Sequence, residues 1–342
     1  MSNQNLLSFF LILSSVASCE IQAQVLPVDG VSLERNREGV VTGLTYYGQG
    51  TEPATGLTKH RESLHHVKSA ILEQHRITPQ ELGLIVDLPS LERLVLGTHP
   101  VGITISQPAI SQVAKCRSLK WLEAHLDNCE IDDWTFLSAV TSLESLSLTG
   151  CVSLSNVDLV AISSLPRLRH LVISGKLEGK DFDWLGELGQ LEELDIECDG
   201  VSQAILRDLG KLTHLRKLRM VGVKFTNQQL RRLVESAMAL ESLEVHFDKS
   251  CEIDSFRMLP KLKSLVVVSR YINEHDLAFV NQLPALESIC VRCSLRNYNA
   301  GRELCGHPSL KTVLVTNLEG TKVLSFLDCQ KKITGRRLNR AN

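Results

Sequence analysis

The chain lacks a dominant charge: 37 Lys and Arg stand against 39 Asp and Glu in 342 residues, a formal net of −2. That balance excludes a strongly basic nucleic-acid binder, and no specific nucleic-acid partner is expected. Catalytic signatures are missing as well. There is no GxxxxGK[ST], no HExxH, no GxSxG and no GxGxxG placed after a strand, so neither an enzyme nor a cofactor site is expected. The ten cysteines form no CxxC…CxxC or CxxC…HxxxH set, and the adjacent His65-His66 cannot share one face, so no metal is expected. Aromatic residues reach only 5%. Leucine is what the chain has in excess, at 56 residues, with 43% hydrophobic and 22% charged overall. That composition excludes a disordered chain. A prior of about 150 residues per domain suggests two domains, but the leucine surplus points to one repeating apolar frame.

The N-terminus is set aside first, because a removable segment is not fold. Residues 1–19 carry no charged side chain, and the apolar run Leu6–Ala17 stops at 12 residues, short of the roughly 20 that span a bilayer. Residues 1–23 therefore read as a signal segment. Val16-Ala17-Ser18-Cys19 resembles the lipobox of bacterial lipoproteins, in which the cysteine is lipidated and becomes the mature N-terminus. It departs from that pattern in having no Lys or Arg before the apolar run. Ordinary cleavage after Ser18 or Ala23 is the alternative. The expected location is outside the cell, either tethered at the envelope through Cys19 or secreted.

Self-similarity organises the rest. L-x-x-L-x-L cores begin at Leu91, Leu119, Leu143, Leu168, Leu191, Leu215, Leu240, Leu262, Leu286 and Leu310, spaced by 22 to 28 residues, and weaker units begin at Val41 and Val67. Twelve units result, with a mean period of about 24.5 residues. The fourth and sixth positions of each core lie two apart and share one face of a short strand, while the first anchors the incoming turn. The second half of the unit changes period. Thr78-Pro79-Gln80-Glu81-Leu82, Thr226-Asn227-Gln228-Gln229-Leu230 and Asn273-Glu274-His275-Asp276-Leu277 each place a capping residue before helically spaced apolar residues.

The units resemble the leucine-rich repeat family over roughly residues 41–330, as in Leu88-Pro89-Ser90-Leu91-Glu92-Arg93-Leu94-Val95-Leu96. The resemblance implies an α/β solenoid, a horseshoe of about twelve strand-helix repeats with a parallel β-sheet on the concave side and helices on the convex side. Helices are wider than strands, which curves the stack toward its sheet. The family's ninth position, often Asn or Cys, is here His75, His99, Asp127, Cys151, Lys176, Asp199, Val223, Asp248 or Arg270, so its turns need other bonds. Residues 24–40 read as an N-terminal cap, with a strand at Val31-Ser32-Leu33 and a turn at Asn36–Gly39. Residues 331–342 form a basic, solvated tail.

Cysteine pairing is left open between Cys129–Cys151, Cys293–Cys305 and buried thiols used as small hydrophobes. In Cys290-Val291-Arg292-Cys293 the first Cys belongs on the concave side and the second beyond the strand.

The candidate site is the concave sheet, where positions three, five and seven point away from the core. It offers Trp121, Glu123 and His125; then His170; then the acidic row Glu193, Asp195 and Glu197; then Lys217 and Arg219; then Glu244 and His246. Trp121 is the candidate aromatic anchor and Arg219 a polar specificity group. A hard-oxygen Ca²⁺ site from the acids is opposed by Lys217 and Arg219. Val266, Val268 and Leu314 offer an apolar patch, open to a contact or a covering C-terminal segment. The expected function is a non-enzymatic module, monomeric, binding a protein of unknown identity on this face. The alternatives are an intracellular substrate-recognition adaptor of the ubiquitin-ligase type, although no F-box-like segment precedes the repeats, and a carbohydrate- or metal-dependent binder.

Overall fold

A strand of alternating inward leucines cannot bury its apolar face alone, so each unit must lay it on the next. In the computed structural model twelve strands do so in parallel: β2 (Val41–Tyr46), β3 (Ser69–Leu72), β5 (Arg93–Leu96), β7 (Trp121–His125), β8 (Ser145–Thr149), β9 (His170–Ser174), β10 (Glu193–Glu197), β11 (Lys217–Val221), β12 (Ser242–Phe247), β13 (Ser264–Ser269), β14 (Ser288–Cys293) and β15 (Thr312–Asn317). The structure describes residues 30–47, 57–58, 60–73, 76–97, 103–126, 131–150, 154–174, 183–197, 203–221, 225–247, 253–269, 272, 274–293, 304, 307–317 and 322–325. Cys19, the signal segment, the basic tail, Cys129, Cys151, Cys305 and all nine residues of the ninth position named above lie outside them.

Two antiparallel strands close the sheet. β1 (Val31–Arg35) folds back on β2 through a turn in which Asn36 Oδ1 accepts from the Glu38 and Val40 amides, both at 3.0 Å, and Gly39 takes φ +79°. β16 (Lys322–Ser325) runs back along β15, with Ser325 opposite Leu314. The sequence reading did not anticipate this second reversal. A separate pair, β4 (Arg76–Ile77) with β6 (Thr104–Ile105), joins two units outside the main sheet.

The register is repetitive to the residue. Leu94, Leu122, Leu146, Leu171, Leu194, Leu218, Leu243, Leu265, Ile289 and Val313 stand side by side, all buried. From Lys68 to Glu287, the residue at the second position of each core accepts two amides from the unit after it. Glu144 O, for example, takes the Arg169 and His170 amides at 2.8 and 3.1 Å, and Glu241 O takes those of Lys263 and Ser264 at 2.8 and 3.0 Å. A hydroxyl rung runs beside this one: Ser90, Ser118, Ser142 and Ser309 each donate to a carbonyl of the preceding unit at 2.7–2.9 Å. These bonds satisfy backbone groups where each strand begins.

The second-position side chains alternate in sign along the stack: Lys68, Glu92, Lys120, Glu144, Arg169, Glu192, Arg216, Glu241, Lys263, Glu287 and Lys311. Neighbours pair across units, with Arg169–Glu192 at 2.7 Å, Lys263–Glu241 at 2.7 Å and Lys311–Glu287 at 2.8 Å. Each is exposed and contributes little alone, about 0–1 kcal/mol.

The convex side is less uniform than the expected row of helices. Helices α1 (Pro79–Val86), α2 (Gln107–Ile110), α3 (Asn156–Ser163), α4 (Gln203–Leu209) and α5 (Asn227–Ser236) occupy five units. Residues 135–139, 183–187, 253–258 and 274–282 are 3₁₀ turns instead. Unit length does not decide between them: both 25-residue units carry α-helix and those of 22 and 23 residues carry 3₁₀, but the described 24-residue units divide evenly and the 26-residue unit carries a 3₁₀ turn at Arg61–Leu64. The helix expected from Asn273 is a 3₁₀ turn over Glu274–Gln282, in a unit as long as those that carry α1 and α4.

The capping residues expected at Thr78 and Thr226 each form a capping box, and a third box forms at Ser155. In two of them the acid also ties units together. Asp158 Oδ2 closes the Ser155 box while Oδ1 accepts the Trp134 amide of the preceding unit at 2.6 Å. Glu81 closes the Thr78 box with Oε2 and takes the Tyr46 hydroxyl on Oε1 at 2.7 Å.

Within the core, aromatic rings are scarce but gathered. Phe225, Phe247, Phe256 and Phe279 form one line, with successive centroids 5.7, 6.4 and 5.9 Å apart.

Candidate functional site

Strand alternation puts the third, fifth and seventh positions on the open side of the sheet, and β7, β9 and β10 show it directly: Trp121, Glu123 and His125 are half-buried while Leu122 and Ala124 are buried. Parallel register then sets equivalent positions beside one another about 4.8 Å apart, so that side chains interact across units.

Along the third position the contacts run without a break from β5 to β11. The Arg93 guanidinium lies 5.8 Å from the Trp121 ring centre, and Trp121 stacks on His170 at 6.4 Å although β8 stands between them. The large ring spans this gap because β8 offers only serines there. Ser145 and Ser147 are buried on the open face, as expected beneath an indole laid across them. His170 Nε2 is 3.8 Å from Glu193, which Lys217 meets at 2.5 Å.

At the fifth position Arg219 sits between two carboxylates. Its Nη1 reaches both Asp195 oxygens at 2.9 and 3.0 Å, and Nε lies 3.2 Å from Glu244. Glu123 is held by His125 at 2.9 Å and Arg93 at 3.4 Å, and Glu244 by His246 at 3.0 Å. Thr149 Oγ1 meets His125 Nδ1 at 2.6 Å. Glu197 accepts the Ser174 hydroxyl at 2.7 Å, and among the described residues it has no cationic partner.

These surroundings move the acids apart. The His125 hydrogen bond is the main cause holding Glu123 below the usual carboxylate value, against partial burial. Burial works against ionisation of Glu244, yet His246 and Arg219 together hold it low. Burial raises Asp195, with Arg219 opposing and the charges of Glu244 and Glu197 adding to the rise.

For Glu123 and Glu244 the folded-state value is depressed, so their contribution to stability is full above the ordinary 4.5 and is lost as pH falls through the folded values. Asp195, whose value is raised, contributes in the opposite sense. The urea midpoint is expected to drop between about pH 5 and 3, and to drop less steeply in Glu123→Gln/Glu244→Gln. Equal slopes in the two proteins contradict the assignment.

All eleven concave residues expected from the sequence thus lie on one face, and His170 links the Trp121 group to the acidic row. Arg93, at the third position of its own core, belongs to the site but was missed. Its neighbours Leu91 and Leu94 carry the repeat signal that locates it.

At the far end Val266, Cys290 and Leu314 stand side by side at the fifth position, with Val268 beside them, all half-buried. Cys293 is not beyond the strand: β14 extends to it and buries it on the core side, opposite to Cys290. Cys116, Cys290 and Cys293 are all thiols, and burial raises Cys290. Among the described residues no three His, Cys, Asp or Glu side chains are grouped to hold a metal ion, and no helix is long and apolar enough to cross a membrane.

No family model and no curated protein matches the chain. Among solved structures it is similar to an internalin from Listeria monocytogenes, at 19% identity and a TM-score of 0.53 over 84% of both chains. It is also similar to a leucine-rich-repeat protein from Leptospira interrogans, at 16% identity and a TM-score of 0.42 over 75% of this chain and 74% of that one. Twelve parallel strands at the sequence period, with the backbone likeness to the internalin, make the chain a leucine-rich-repeat solenoid.

Proposed function

We propose that the chain is a non-enzymatic module that binds a protein on its concave sheet face, exported and tethered at the cell envelope through lipidated Cys19. The observation that carries the binding reading is the connected row Arg93–Trp121–His170–Glu193–Lys217. It is a half-buried aromatic anchor braced by charged neighbours on a rigid frame, the composition of an interaction hot spot. Between β5 and β12 the open face carries five carboxylates, Glu123, Glu193, Asp195, Glu197 and Glu244, against three cations, Arg93, Lys217 and Arg219. The partner segment that complements this surplus is basic. Export and the tether are supported by the apolar run and Val16-Ala17-Ser18-Cys19.

A photo-crosslinking residue placed at Val172, between Ser147 and Asp195 on the concave face, tests the reading in source-cell extract. It is expected to capture a partner that the same residue at convex Val160, 59% exposed, does not. Trp121→Ala/Arg219→Glu is expected to lower that capture at least tenfold without changing the far-ultraviolet dichroism. Adducts from Val160 alone, or undiminished capture by the double variant, overturn the concave-face reading. The mass of the mature N-terminus from the same cells decides the tether: acylated Cys19 supports it, and an unmodified N-terminus elsewhere refutes it.

A further inference from the structure

The concave face changes chemistry along its length, and the chain that leaves it changes in the same order. Reading the fifth position from the β15 edge inward gives Leu314, Cys290 and Val266, then Glu244, Arg219 and Asp195. The strip is apolar for three strands and charged beyond them, with Glu197, which has no cationic partner among the described residues, beside Asp195. The last described strand, β16, delivers Ser325 directly opposite Leu314, at the apolar end of this strip. After Ser325 the sequence continues Phe326-Leu327, and then Lys331, Lys332, Arg336 and Arg337, with no acid after Asp328.

We propose that residues 326–337 lie back across the concave face, Phe326 and Leu327 on the Leu314–Cys290–Val266 patch and the basic residues over Glu244 and the Asp195–Glu197 acids. The distances suit. At about 4.8 Å per strand, Glu244 is about 19 Å and Asp195 about 29 Å from Ser325. An extended chain gains about 3.3 Å per residue, which carries Lys331 and Lys332 about 20–23 Å and Arg336 beyond 30 Å. Burying the patch removes exposed apolar surface from water, and the basic side chains offset the acidic surplus of the face. The tail then has the chemistry the face would take from a partner, and a partner must displace it. This regulatory meaning rests on the binding reading above, whereas the contact itself does not.

Cys290 provides a reporter inside the patch, and Cys293, buried on the same strand, an internal control. In the full chain, the rate at which Cys290 is alkylated by N-ethylmaleimide, followed by peptide mass, is expected to rise at least fivefold in Phe326→Ser/Leu327→Ser. It is expected to rise at least twofold in Lys331→Glu/Lys332→Glu, with Cys293 unchanged in both. Carbodiimide is expected to join Lys331 or Lys332 to Glu244 within the monomer band. A Cys290 rate unchanged in both variants overturns the proposal, as does cross-linking confined to dimers, which would assign the patch to a second copy. A rise at both cysteines also overturns it, because it reports loosening of the strand. None of these readouts uses a partner, so the tail contact and the binding reading fail separately.

Discussion

Phe256→Ala is expected to destabilise the fold by about 3–5 kcal/mol, read as a fall in the urea midpoint. Phe256 is fully buried, and its ring meets Phe247 on one side at 6.4 Å and Phe279 on the other at 5.9 Å. The chain has nine phenylalanines, and four stand in this one line. Removing the ring opens a cavity that spans a junction between units, where flanking leucines from the regular register cannot collapse inward without leaving their own strands. Phe256→Leu retains most of the volume and is expected to cost about 1–1.5 kcal/mol. In a solenoid, stability is close to a sum of unit and neighbour contributions. The alanine variant is therefore also expected to unfold with a smaller denaturant slope, as the two sides of the break uncouple. A loss below about 1 kcal/mol for Phe256→Ala refutes the central role of the line.

Asp158→Ala is the second large effect, at about 2–4 kcal/mol. Asp158 is 2% exposed, so its carboxylate works shielded from bulk solvent. One oxygen takes the Ser155 amide and hydroxyl at 2.7 and 2.5 Å, and the other takes the Trp134 amide at 2.6 Å. Alanine removes a helix cap and at the same time strands a buried amide in the preceding unit. Asn is expected to recover only part of the loss, because its amide nitrogen must face either the Ser155 donors or the Trp134 amide whichever way it turns. Equal stability of Asp158→Ala and wild type in thermal and urea unfolding contradicts the account.

The period, the twelve strands and the outward positions were legible in the sequence because they are local. A leucine spacing of three and then two states which side chains face inward, and repetition of that spacing states that the strands are parallel. Relations between units were less legible. That Trp121 crosses β8 to His170 depends on serines sitting at two equivalent positions one unit on, and it appears only when the units are placed in register. The choice between α-helix and 3₁₀ turn was hidden for a different reason. Glu274–Gln282 has helical spacing and a capping residue before it, and its unit is as long as those that carry α1 and α4, so nothing local to it separates the two outcomes. Arg93 and the second-position charges were visible letters whose meaning lies in their neighbours. The return of β16 along β15 carries no repeat signal at all.

The alternating charges of the second position give the solenoid a parity. Every unit lays its strand in the same register, but along that edge the pattern repeats only every second unit, from Lys68 to Lys120 to Arg169 and onward. Loss or gain of a single unit would bring two like charges face to face and leave the hydrophobic register intact. Loss or gain of two would restore opposite signs at the junction. Lengthening or shortening by pairs of units is thus the neutral path for this array, and each odd step carries an electrostatic scar that marks where it happened.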